Sequence, residues 1–522
     1  MIERMFDGVL VVGAGLAGSE AAWQLARRGT RVRLAEMRPA VMTPAHHTAR
    51  VAELVCTNSF KSDVPEVAAG LLHEELRQLG SLVLRAADAA RVPSGQDLSV
   101  DRERFADLVE ASLASAGVER VALEVTAIDP DVTTIVASGP LTSDALAAEL
   151  RRLTGTEHLH FYDAAAPIVV GQSLGMGELF RASRYDKGAG NYLNAPMDRA
   201  GYLAFVAALG AAEQVELHDF ERTAWFEGCI PIEEMARRGP ETLRHGPLKP
   251  TGLTDPRTGR WPHAVVQLRQ DDAAAGLYNL VGFQTNLRWP EQRRVFHTIP
   301  GLAKAEFARL GVMHRNTYVR SPDLLEPSHR LRGTERTWLA GQLVGVEGYL
   351  ESAMSGLVAA LNVAAALGGG PPVVFPADTA IGSLVRYITT PQAAFAPMNV
   401  AWGLFPPLPD LGARLGRRER AAAHLARARA SLAAYLADRP DLALGAGTAA
   451  DLLPGLGAEA APSAVGAPPE TRRCDAAALT TTTTVRQLDG TRSSASGPEG
   501  RPGSPIPDTR PPACGPQGRP AQ

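Results

Sequence analysis

Residues 9–38 read VLVVGAGLAGSEAAWQLARRGTRVRLAEMR, and the fold follows from them. An apolar run, Val9–Val12, stops at Gly13-Ala14-Gly15-Leu16-Ala17-Gly18; a helical stretch from Ser19 to Arg28 follows, and a second run, Thr30–Leu34, closes on Glu36. A G-x-G-x-x-G alone says little, but between a strand and a helix it marks a dinucleotide turn. Gly13 permits the tight turn, Gly15 the close approach of a pyrophosphate, and Gly18 the packing of helix on strand. The phosphates then meet the free N–H groups and the positive dipole end of the helix. Glu36 stands about where an acidic side chain accepts a hydrogen bond from a ribose hydroxyl. The stretch predicts a Rossmann-like βαβ unit that binds a dinucleotide.

A second unit of this kind comes late. Residues 337–367 read TWLAGQLVGVEGYLESAMSGLVAALNVAAAL: a short strand (Trp338–Ala340), glycines at 341, 345 and 348, then a small-residue helix over Tyr349–Leu367. Such a unit can return to the first sheet and aim its helix at the rest of a dinucleotide, which favours FAD over a nicotinamide alone. Gly341, Gln342 and Gly348 therefore join the candidate cofactor contacts.

Composition sets the outer bounds. A chain of 522 residues suggests roughly three domain-sized units, and 45% hydrophobic residues suffice for sizeable cores. The net charge of −3 gives no global basic field, so an RNA-binding face has to be a local patch. Four cysteines, none in a C-x-x-C pair, argue against a disulfide framework or a zinc site. The N-terminus, MIERMFDG, lacks the apolar core of a secretory signal. No apolar stretch is read as approaching the eighteen residues that span a bilayer. A soluble, cytoplasmic protein is expected.

Between the two glycine turns, Ala40–Ser62 (AVMTPAHHTARVAELVCTNSFKS) has no clean period and reads as an active-site loop. Cys56 is either a nucleophile or acid, activated by Lys61 if the two meet, or a small buried residue. Helices are predicted over Ala68–Leu84, Asp101–Ala114 and Ser143–Leu153, with strands over Val121–Ile128 and Thr133–Ala137. The strand ending in Ala137-Ser138-Gly139 is of a kind that in flavoproteins lies beside the flavin. From Gln172 to Ala195, Arg181, Arg184, Tyr185, Lys187 and Tyr192 interleave cations with aromatics, a mixture suited to phosphates and stacked bases. A further unit includes a helix (Asp198–Ala208), a strand (Arg222–Phe226) and Glu227-Gly228-Cys229-Ile230-Pro231, where the irregular turn presents Cys229. Glu227, Glu233 and Glu234 would oppose its ionisation, so a structural and a reactive Cys229 remain equally open on the residues alone. His314–Tyr318 forms another cationic and aromatic cluster.

Ten stretches carry a resemblance: VVGAGLAGSEAAWQLARRG, EMRP, ELVCTNSFKSD, VASGPLTS, YDKGAGNYLNAP, FEGCIPIEEMA, RHGPLKPTGL, GFQTNL, HRNTYV and AGQLVGVEGYLESAMSGL. Across about residues 9–405 the chain resembles the methylenetetrahydrofolate–tRNA-(uracil-5-)-methyltransferase family, whose members use folate and flavin. The glucose-inhibited-division flavoproteins would share the FAD domain but not FEGCIPIEEMA or GPLKP. The resemblance implies an α/β fold: a Rossmann-like FAD-binding domain of the glutathione-reductase type with an inserted α/β domain. The expected division is 1–196 and 316–440 for the FAD-binding domain, 197–315 for an insertion that meets tRNA, and 441–522 for a disordered tail. The tail is rich in Ala, Gly, Pro, Thr and Arg, and such composition buries too little apolar surface to order itself. Its Cys474 and Cys514 are expected to have no catalytic role.

The implied reaction is C5-methylation of uridine 54 in the T-loop of tRNA. Methylenetetrahydrofolate is the carbon donor, FAD the cofactor, and NADH or NADPH the reductant. By resemblance Cys229 is the nucleophile toward uracil and Cys56 a second, proton-transferring thiol. The alternatives are a glucose-inhibited-division-type enzyme acting on another tRNA uridine with a partner, and a non-catalytic RNA-binding factor that holds FAD.

Overall fold

The computed structural model describes residues 7–156, 159–186, 191–215, 230–393, 395–408 and 415–442. Cys229, Lys187, the strand expected over Arg222–Phe226 and the tail from residue 443 lie outside the described residues, as do the side chains of His314 and Arg315.

The chain begins with β1 (Val9–Val12), α1 (Leu16–Ala26) and β2 (Val32–Glu36). There follow β3 (Ser59–Ser62), α2 (Ala68–Gln78), α3 (Leu82–Ala89), β4 (Arg91–Val92), β5 (Asp97–Val100), α4 (Arg102–Ser115), β6 (Glu119–Ala122), β7 (Thr133–Val136) and α5 (Asp144–Thr154). β8 (Leu159–Ala165) leads to a second body made of β9 (Ile168–Val170), β10 (Phe180–Ala182), β11 (Tyr192–Met197), α6 (Arg199–Ala211), α7 (Ile232–Arg237), α8 (Thr242–His245), β12 (Ala264–Gln270), β13 (Leu277–Leu280), α9 (Trp289–Phe296) and β14 (Phe307–Arg309). β15 (Val312–Tyr318) leads back to α10 (Ser321–Leu324), β16 (Thr337–Leu339), α11 (Tyr349–Leu367), α12 (Ala380–Thr389) and α13 (Arg417–Asp438).

The first sheet runs β16-β7-β1-β2-β6 and every pairing in it is parallel. β1 and β7 are buried along their whole length, as a parallel sheet covered on both faces requires. Two glycine-ended strands, β1 and β16, thus stand in one sheet, and their helices α1 and α11 pack face to face. A Cβ on Gly356 would lie 2.1 Å from the Ala17 carbonyl oxygen, so α11 approaches α1 through small residues. This is the Rossmann-like arrangement expected from residues 9–38 and 337–367.

The second sheet runs β10-β11-β12-β13-β9-β14, with all pairings antiparallel. Its own core includes Tyr202, Phe205, Phe283 and Phe296. The sheet takes in β9, β10 and β11, so these strands build with the inserted body and not with the first sheet. β8 and β15 pair antiparallel from Leu159↔Tyr318 to Ala165↔Val312 and form the ribbon on which the chain leaves and returns.

Three local expectations are corrected. The helix expected over Ala68–Leu84 is two helices: Gly80 takes φ 70° and Ser81 caps α3 through Leu84 N–H. The strand expected over Val121–Ile128 ends at Ala122, opposite Glu36, because its partner β2 ends there. The apolar stretch judged too short to cross a bilayer is in fact long enough. α11 has 19 residues and a mean hydropathy of 1.5, and most of it is buried against the first sheet and its helices. Elsewhere local signals set the bounds: Asp101 caps α4 by accepting from Arg104 N–H at 3.0 Å, and Ser143 caps α5.

Candidate functional site

The turn after β1 is shaped by backbone contacts. Gly13 has φ +97°, and a Cβ there would lie 2.5 Å from the Ala137 carbonyl oxygen; one on Gly18 would lie 1.8 Å from the Gly13 carbonyl oxygen. Gly15 differs: a Cβ there would meet nothing within 4 Å. Gly15 precedes the first turn of α1, where no side chain caps the helix. These residues border a cavity of about 1000 Å³ whose lining also includes Glu36, Ser138, Gly139, Gly341 and Gln342. Leu16 and Ala17 line it too, whereas Ala14 and Gly18 do not.

Glu36 is buried, with Oε2 accepting from Ala14 N–H at 2.9 Å and Oε1 from Arg38 N–H and Nε–H at 3.1 and 3.0 Å. Burial raises its proton affinity, but the hydrogen bonds and charge of Arg38, with the Ala14 amide, outweigh it and hold the carboxyl below its ordinary value. An ionised acceptor at the end of β2 is what a ribose hydroxyl needs. His46 also lines the cavity, 2.6 Å from Thr43 Oγ1, and burial with the Arg38 charge lowers its pKa to about 4. The uncapped helix start, the open space at Gly15 and the ionised Glu36 fit a dinucleotide, and the reach from Gly15 to Gly341 spans both glycine turns.

A second cavity, of about 1480 Å³, adjoins the first. Val55, Pro140, Leu141, Gln342 and Tyr349 line both. Cys56 stands in the second cavity with Lys61, Arg269 and Gly348. Its backbone N–H donates to the Tyr349 hydroxyl at 2.7 Å, and that of Thr57 donates to the same oxygen at 3.2 Å. Arg102 donates to the Cys56 carbonyl at 3.3 Å and to that of Leu54, while Asp271 anchors its guanidinium at 2.8 Å. Arg309 donates to the Val55 carbonyl at 2.5 Å. From the inserted body Arg269 reaches the Thr57 hydroxyl and, at 3.1 Å, Asn58 Oδ1. Asn58 in turn donates to the carbonyls of Val100 and Gln270. The Cys56 loop is therefore stitched between the two bodies.

Lys61 does not serve the thiol as anticipated. Its ammonium lies 2.5 Å from Glu351 Oε1 and 2.7 Å from Asn399 Oδ1, on a backbone at φ 71°. The buried carboxylate claims the charge, because leaving it unpaired would be costly. The cations that surround the Cys56 loop are instead Arg102 and Arg309, which the sequence reading missed, as it missed Tyr349. Their signal was faint: Tyr349 opens the helix after the second glycine turn, and Arg102 opens α4.

Among the other expected residues, Glu233 is buried and bound to Thr285 Oγ1 at 2.8 Å and Asn286 N–H at 2.6 Å; it builds the inserted body. Arg184 is likewise structural, bonded to Gln267 and to the carbonyls of Lys249 and Thr251. Tyr185 is exposed.

A parallel sheet with two glycine turns over one elongated cavity defines a dinucleotide-binding protein of the glutathione-reductase type. A family model described as "Glucose inhibited division protein A" matches residues 8–371. The methylenetetrahydrofolate–tRNA-(uracil-5-)-methyltransferase TrmFO of Desulforudis audaxviator is 57% identical over 438 residues, 83% of this chain and 99% of that protein. The protein of the same name from Geobacter sulfurreducens is 56% identical over 421 residues, 80% and 97% of the two chains. The chain belongs to the glucose-inhibited-division protein A family and, within it, to the methylenetetrahydrofolate–tRNA-(uracil-5-)-methyltransferases. In fold it is similar to Aquifex aeolicus GidA, with TM-score 0.62 at 17% identity over 85% of this chain and 75% of that one.

Proposed function

We propose that this chain methylates C5 of uridine 54 in tRNA, with 5,10-methylenetetrahydrofolate as carbon donor, FAD as cofactor and NADH or NADPH as electron source. The observation that carries the reading is the shared wall: Cys56 stands in a chamber bounded by Val55, Pro140, Leu141, Gln342 and Tyr349, all of which also bound the dinucleotide cavity. The relatives that bear this enzyme's name match over nearly their whole length, and the cytoplasm, where tRNA is found, is its place.

C5 of uracil is a poor nucleophile until a thiolate adds to C6. Cys229 supplies that thiolate, and Cys56 carries a proton to or from the reacting base. When bound, the flavin supplies the two electrons that separate a methylene from a methyl group. The start of α1 and Glu36 hold the dinucleotide, with Gly341 and Gln342 bordering its far end, whereas Gly348, expected beside them, lines the Cys56 cavity instead. Tyr349 fixes the amides of Cys56 and Thr57, so the loop that carries the thiol is held against a residue that lines both cavities. Arg102 and Arg309 hold the backbone of the loop through the Cys56 and Val55 carbonyls.

Transfer of labelled methylene from methylenetetrahydrofolate to unmodified tRNA, with NADH, tests the reading. Label in 5-methyluridine that is lost in Cys229→Ala is the expected result. Label that survives moves the nucleophile to Cys56. Absence of label with FAD and tRNA bound overturns the methyltransferase reading in favour of a partner-dependent enzyme.

A further inference from the structure

The wall of the Cys56 cavity carries two buried carboxamides that make no side-chain hydrogen bond to the rest of the described residues. Asn279 on β13 and Asn316 on β15 are each 3% exposed, and both line the cavity. Among the described residues neither side chain has a hydrogen-bond partner, and Asn279 Nδ2 is fully buried without an acceptor. A buried amide left unmade is costly, so such groups are kept where something else completes them. Other buried amides in this chain are completed internally: Asn58 bonds two carbonyls, and Asn362 bonds Val358, Val373 and the Val373 amide. Among the described residues the uncommitted pair is confined to the chamber that holds Cys56. Asn279 also stands opposite Arg269 in the β12–β13 register, and Arg269 grips Thr57 beside the thiol.

We infer that Asn279 and Asn316 are specificity-determining residues that recognise the cyclic –NH–C=O edge of a planar heterocycle placed beside Cys56. A carboxamide offers a donor and an acceptor on two atoms bonded to one carbon, which is the complement of that edge. On the function proposed above, on which this inference rests, two substrates carry it: uracil in the tRNA and the pterin ring of the folate. An apolar or purely cationic wall would bind both rings by stacking or charge without reading the edge.

The test uses the full-length, flavin-loaded protein, with wild-type methyl transfer as the control: failure there sinks the function and not the amide assignment. Asn279→Leu and Asn316→Leu keep approximate volume and remove the polar group, and Asn279→Asp keeps the shape and removes the donor. Thermal midpoint is measured together with equilibrium binding of tetrahydrofolate and of unmodified tRNA. The expected result is a midpoint unchanged or raised in the Leu variants, because no internal bond is lost. Affinity for one ligand falls roughly 10- to 100-fold in the Leu variants and in Asn279→Asp. Loss confined to tetrahydrofolate assigns the edge to the pterin, and loss confined to tRNA assigns it to uracil. Affinities for both ligands within about twofold of wild type overturn the inference. So does a lowered midpoint or failure to fold in the Leu variants with binding intact in Asn279→Asp, since the amides are then structural.

Discussion

The glycine turn at residues 13–18 and the Cys56 loop border adjoining cavities, yet they are held in unlike ways. The turn is fixed by its own backbone and by neighbours in the parallel sheet: Gly13 against Ala137, Gly18 against Gly13. The loop is fixed by side chains from far along the chain: the hydroxyl of Tyr349, 293 residues away, the guanidinium of Arg309, 254 residues from Val55, and Arg269 from the inserted body. Binding of the cofactor thus rests on short-range geometry, whereas presentation of the thiol depends on assembly of the whole molecule. Damage to the first should cost the cofactor, and the fold with it where the turn is crowded by backbone; damage to the second should cost chemistry while the cofactor stays.

The sharpest way to break that contrast lies inside the turn itself. Gly18→Ala drives a Cβ to 1.8 Å from a backbone oxygen, and unfolding in denaturant should show a loss of about 4 kcal/mol, with little flavin retained. Gly15→Ala places its Cβ in open space, so that variant should fold normally while flavin affinity, read by fluorescence titration, falls. Equal instability of the two would refute the division of roles. A smaller effect is expected at the loop. Tyr349→Phe removes the acceptor of two backbone N–H groups at a cost of about 2 kcal/mol, and methyl transfer should drop while flavin content is unchanged. Parallel loss of flavin would show that the two regions are not separable.

The smallest effect concerns pH. His46 has its pKa lowered to about 4 in the fold, so between its unfolded value near 6.5 and about 4 the unfolded chain binds more protons. Stability therefore falls as pH drops through that window; Glu36, held below its ordinary value, adds a further loss in stronger acid. His46→Asn should flatten the first part of this decline by about 1 kcal/mol in denaturation series between pH 7 and 4.5, less than the full pKa difference implies because solvent screens this half-buried ring. An unaltered slope would exclude His46 as its source.

The same contrast explains what the sequence discloses. Val9–Glu36 was legible because a strand, a glycine turn and a helix are local patterns, and the start of α11 at Tyr349 followed from the same logic. Ala68–Leu84 misled because its apolar spacing carries across Gly80, whose φ of 70° breaks the helix. Lys61 misled for another reason: nearness in sequence to Cys56 said nothing of Glu351, buried on a helix 290 residues away, which takes its charge. Arg102, Arg269 and Arg309 look like ordinary surface arginines in the string, and only the placing of α4, β12 and β14 around one loop brings them together. The proposed nucleophile, Cys229, was reached through resemblance alone.

The ribbon of β8 and β15 has a consequence for descent. The inserted body departs on one strand and comes back on its immediate neighbour, about 5 Å away. Any folded unit with adjacent ends could occupy that place while the parallel sheet kept its own register, since none of its five strands lies within the excursion. A lineage could thus exchange the inserted body and inherit the parallel sheet, with its dinucleotide turn, unchanged.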